Sequence, residues 1–110
     1  MIKHHFCINQ WGTPDFKVED KYSMLHDLAT RNIEEVKRII KDLESVINGD
    51  TETIDIEGYD TTVVECSKDG CLIYYDVGET SLGPIPVEWV MQLFKDWLDY
   101  LIAFEESKKK

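Results

Sequence analysis

The second half of this 110-residue chain is almost without positive charge. Between residues 50 and 107 only Lys68 and Lys95 are basic, against fourteen aspartates and glutamates. Residues 1–49 are nearly balanced, with eight acids and seven bases, and Lys108, Lys109 and Lys110 close the chain. The formal net charge is −10. A field of this sign repels phosphate backbones, and the chain has no basic stripe with which to read a nucleic acid, so direct nucleic-acid binding is not expected. The same field attracts basic proteins and speeds their encounter.

Cysteine is scarce. Cys7, Cys66 and Cys71 are odd in number and widely spaced, unlike a disulfide scaffold. All three are expected as free thiols, and Cys66 with Cys71 is the pair to watch because one hairpin turn separates them. Two thiols without a nearby histidine are too few for structural zinc, so neither metal nor cofactor is expected. Glycine is too sparse for a phosphate-cradling loop, and no Gly-x-x-x-x-Gly-Lys-Ser/Thr pattern occurs. No apolar run is long enough to span a membrane. The opening MIKHHFCINQW lacks the apolar core and small-residue cleavage site of a secretory signal, and a cytoplasmic setting is expected. No carboxylate spacing separates a general acid from a general base. His26 and Asp27 are merely adjacent, and His4 and His5 would point to opposite faces of a strand. A non-enzymatic protein is expected.

What is present supports a core. Apolar residues make up 43% of the chain, which predicts one compact domain over 1–110, with residues 107–110 a frayed basic tail. From Pro86 to about Glu106, Val90, Leu93, Phe94, Trp97, Leu101 and Phe104 recur at steps of three and four, a long helix. Asn32 and Glu35 form a capping-box pair ahead of a second stripe, Ile33, Val36, Ile40, Leu43 and Ile47, and Gly49 stops that helix. Residues 52–57, 61–66 and 71–77 alternate as strands around two tight turns, an antiparallel meander. Residues 1–11 read as an edge strand that extends the sheet, and 12–31, whose apolar residues would support a strand followed by a short helix, as a connection that packs loosely on the core. Residues 78–85, GETSLGPI, read as a loop. The fold class is α+β: an antiparallel three- or four-stranded sheet with two main helices packed on one face.

Strand parity then selects candidate contacts. If the helices cover Ile54, Ile56, Ile73 and Tyr75, the opposite face carries Asp55, Glu57, Tyr74 and Asp76, which is carboxylates around an aromatic. Carboxylates pair with arginine in two-pronged fashion, and aromatics supply rigid apolar contact. Tyr59, in the turn between the first two strands of the meander, adds an exposed anchor. On the long helix, Trp97 belongs to the core. Trp89 and Tyr100 flank it and would carry the interface if the chain were instead a structural subunit or a homodimer. An inhibitor that mimics nucleic acid is a further alternative.

In size, charge polarity and layout the chain resembles bacterial toxin-immunity proteins. The resemblance lies in the acidic strands Asp55–Glu65 and Tyr74–Asp76 and in the run Gly83-Pro84-Ile85-Pro86-Val87-Glu88-Trp89 into the long helix. It implies a cytoplasmic protein that neutralises a basic toxin, commonly a nuclease, by covering its active site or substrate groove.

Overall fold

The computed structural model describes residues 2–28, 30–58, 62–75 and 80–108. In chain order these form β1 (His4–Ile8), β2 (Pro14–Val18), a 3-10 segment (Asp20–Leu28), α1 (Ile33–Ile47), β3 (Thr53–Glu57), β4 (Val63–Ser67), β5 (Gly70–Tyr75), β6 (Thr80–Ile85) and α2 (Val87–Lys108). Every strand pairing is antiparallel, with β1–β2 one sheet and β3–β4–β5–β6 another.

The helices form for the local reasons their sequences predict. Asn32 Oδ1 accepts from the Glu35 N–H at 3.1 Å, closing the first turn of α1. The reciprocal half of the capping box is replaced: Thr30 Oγ1 accepts from the Asn32 N–H and donates to the Glu35 carboxylate. At the other end Gly49 adopts φ 83°, where a side chain would be strained, and its N–H donates to the Val46 carbonyl. The buried stripe of α1 is Val36, Ile39, Ile40, Leu43 and Val46. That of α2 is Val87, Val90, Leu93, Phe94, Trp97 and Leu101, and the helix continues to Lys108, whose ammonium lies 4.6 Å from the Phe104 ring centre.

Both stripes meet one face of the larger sheet. Ile56, Val64, Cys66, Cys71, Ile73 and Ile85 are buried with them in a single core. The α+β architecture, with its two helices packed on the sheet, is therefore as expected, but two elements differ. Residues 80–85 are not loop: they form β6 against β5, with a register shift between Cys71 and Ile73 that absorbs one extra residue of β6. An edge strand tolerates Pro84, which a central strand would not. Glycine is required at 83, where φ is +125° and an added Cβ would lie 2.6 Å from the Cys71 carbonyl oxygen.

The N-terminal strand, in turn, does not extend the main sheet. It pairs with β2 as a separate hairpin, because its apolar side has its own partner. Phe6 and Phe16 pack at 5.5 and 5.0 Å, centre to centre, from Trp97, and Tyr100 stacks on Trp97 and packs at a tilt against Phe6. Trp97 Nε1 donates to the Thr30 carbonyl at 2.7 Å, so the buried indole leaves no donor unpaired. His4 ties the same hairpin to α2: its Nε2 lies 2.9 Å from the Asp96 carboxylate, which Gln92 also holds. The two adjacent histidines thus differ, His5 being exposed and His4 structural. His26 pairs with Asp15 at 2.8 Å.

Candidate functional site

The uncovered face of the four-stranded sheet is built by the period-two alternation of its strands. Register places Asp55 opposite Glu65, and Glu65 opposite Leu72. The next row along the strands is Glu57, Val63 and Tyr74. Asp55, Glu57 and Glu65 are exposed, while Val63, Leu72 and Tyr74 are half-buried. Three carboxylates thus stand beside a low apolar and aromatic strip.

The Asp55–Glu65 pair is unfavourable on its own terms. Like charges directly opposite one another on one sheet face are destabilising. Ladder geometry makes the pair a close one. The Gly58 N–H donates to the Thr62 carbonyl at 2.8 Å, which sets the alternation in the β3–β4 ladder. Ile56 and Ile54 therefore exchange hydrogen bonds with β4, and Asp55–Glu65 is of the shorter, non-hydrogen-bonded kind.

No cation offsets the cluster from within its own half of the chain. The Lys68 ammonium sits beside Gly49 at the C-terminal end of α1, where the helix dipole favours a positive charge. Lys95 reaches toward Glu44, at 4.0 Å. Among the described residues, no ion pair includes Asp55, Glu57 or Glu65.

The same alternation turns the N–H and C=O groups of Asp55 and Glu57 away from β4, toward the open side of β3. A cleft of about 410 Å³ lies there, between the strand edge and α1. Leu28, Ile39 and Ile56, all nearly buried, form its floor, and Glu35 and Arg38 stand on the opposite wall. Arg38 is itself paired with Asp42 at 3.2 Å.

Of the five candidate contacts, Asp55, Glu57 and Tyr74 are brought together on this face. Tyr59 and Asp76 lie outside the described residues, as does the end of the third expected strand. Sequence reasoning missed three features of the structure. Glu65 had the correct parity, but only the register puts it against Asp55. The cleft joins residues far apart in the chain. Trp11 is 76% exposed at the tip of the β1–β2 hairpin, where Asn9 Oδ1 accepts from the N–H groups of Trp11 and Thr13 and from the Thr13 hydroxyl. Two features of the Asn9–Thr13 stretch signal this turn: an asparagine able to bond backbone two residues on, and Gly12 at φ 78°.

Beneath the acidic face, Cys66 and Cys71 are direct cross-strand partners, both fully buried, with sulfurs 2.6 Å apart and both thiols free. The hydrogen bond to Cys71, then burial, then the charges of Asp55 and Glu65 push the Cys66 thiol well up from its ordinary value. Such a thiol stays protonated and is a poor nucleophile. Among the described residues no group of three or more His, Cys, Asp and Glu is placed to hold a metal ion. Among the described residues, no helix is long and apolar enough to cross a membrane. The chain matches no protein-family model, no curated protein and no solved structure.

Proposed function

We propose that this protein is a binding inhibitor that uses the uncovered face of β3–β4–β5 to cover the working surface of a basic protein, a nuclease toxin in the first instance. One observation carries the reading. Asp55, Glu57 and Glu65 are gathered beside Tyr74, Leu72 and Val63, with Asp55 set against Glu65 and, among the described residues, no ion pair that includes any of the three carboxylates. A fold gains nothing from that arrangement, whereas an arginine or lysine brought by a partner relieves it. A nuclease attracts phosphate with positive charge, so an acidic face competes for the same surface and is steered onto it. The apolar strip supplies contact area that salt does not screen.

The rival reading, a dimer or subunit interface on α2, has less to work with. Tyr100 is engaged with Phe6 and Trp97, and Trp89 packs against the core.

The test is an affinity capture from the native cell, with the wild-type chain beside a variant carrying Asp55→Asn, Glu57→Gln and Glu65→Gln. The expected catch is a basic protein retained by the wild type and lost by the variant, whose catalytic activity the wild type suppresses in a purified assay. A partner held equally by both chains would overturn the proposal.

A further inference from the structure

The four-stranded sheet has two outer edges, and they are not alike. β6 is blunted by its register shift and by Pro84, which has no N–H to offer. β3 is regular over all five residues of Thr53–Glu57. Among the described residues, nothing bonds to its outward N–H and C=O groups. Those groups belong to Thr53, Asp55 and Glu57, and those of Asp55 and Glu57 face the cleft floored by Leu28, Ile39 and Ile56.

We infer that this edge receives an extended segment of the basic partner as an added strand, with side chains alternating basic and apolar. The inference rests on the acidic-face reading above and specifies its geometry. In an added strand, successive side chains point to opposite faces of the sheet. Positions across from Asp55 and Glu57 project onto the acidic face and call for lysine or arginine. The position between them, across from Ile56, projects to the helix side, where the cleft accepts an aliphatic side chain. Main-chain hydrogen bonds to Asp55 and Glu57 fix the register.

The charges also choose against a second copy of this chain. Antiparallel self-pairing centred on Asp55 would set Asp55 against its own image, with Glu57 from each copy alongside. Like charges at an edge guard against such pairing. A basic strand meets the same carboxylates favourably.

The probe is an end-blocked, alternating lysine–valine heptapeptide, compared at low salt with its isomer in which all lysines precede all valines. The readouts are binding, followed by fluorescence anisotropy, and amide hydrogen exchange on the wild-type protein, followed by NMR. The alternating peptide is expected to bind at least about fivefold tighter than its isomer and to slow exchange of the Asp55 and Glu57 amides. Asp55→Pro removes the outward N–H without touching the β4 ladder, and Asp55→Asn removes the same charge but keeps the N–H. The proline variant is expected to lose the preference for the alternating peptide, and the asparagine variant to keep it. Glu57→Pro against Glu57→Gln repeats the comparison if Asp55→Pro does not fold. Equal, salt-sensitive binding of both isomers with the two amides unprotected would overturn the added strand and leave the acidic face standing. Binding of neither peptide would overturn both.

Discussion

At the residue scale, the opposition of Asp55 and Glu65 gives a prediction whose sign is informative. Removing one charge of a like-charged cross-strand pair should stabilise the fold by about 0.2–1 kcal/mol. Asp55→Asn and Glu65→Gln are therefore each expected to raise the melting temperature in low salt while weakening association with the proposed basic partner. A melting temperature that falls in both variants would mean the carboxylates are stabilising where they stand. Cys66 gives a second prediction. Its folded-state pKa is raised, so its contribution to stability is full below the unfolded thiol value of about 8.5 and is lost as pH rises above it, by at most about 1.4 kcal/mol per pH unit. Urea midpoints measured from pH about 7 to about 10 should fall for the wild type, with that part of the slope missing in Cys66→Ala. In native protein at neutral pH, half-buried Cys7 should be the thiol that reacts with a soluble reagent. Fast modification of all three would contradict the buried pair.

At the scale of elements, the β1–β2 hairpin depends on the aromatic cluster it forms with α2. Phe16 is fully buried between Phe6, His26 and Trp97, so Phe16→Ala should cost about 3–5 kcal/mol in denaturant unfolding. Asn32→Ala should cost about 1 kcal/mol through the lost cap of α1. These elements also show what was legible in the sequence. The two helices and the meander follow from periodicities of 3.6 and 2 that a single segment displays by itself. The parity of Asp55 with Glu57 is equally local, whereas Tyr74 joins their face through the pairing of β4 with both β3 and β5. What was not legible depends on partners. Nothing within Thr80–Ile85 announces a strand, because its Gly and Pro are tolerated only once β5 lies alongside and the sequence ends up on an edge. The N-terminal strand has the right period, but only Trp97 and Tyr100 decide that it packs on a helix rather than on the sheet. Glu65 joins the site through register, and the cleft joins Leu28, Ile39 and Ile56 through tertiary packing, neither of which a lone sequence encodes locally.

At the scale of the molecule, the charge polarity of the chain becomes a surface with direction. The near-neutral first half builds α1 and the hairpin, while the acidic half builds the four-stranded sheet and α2. The two bases of that half, Lys68 and Lys95, are drawn toward α1, which leaves the uncovered sheet face as a one-signed field. Steering by such a field acts on the rate of encounter and is screened over a Debye length of about 8 Å at physiological salt. In the proposed complex, apolar contact at Tyr74 and Leu72 would act on dissociation instead. The measurement that tests this most directly is stopped-flow association of the captured basic partner, at ionic strengths from about 0.01 to about 0.3 M, for the wild type and for the chain with Asp55→Asn, Glu57→Gln and Glu65→Gln. The wild-type association rate is expected to fall at least about tenfold across that range, and the variant to be slower at low salt and nearly flat. A wild-type rate indifferent to salt, with the three substitutions silent, would contradict this expectation.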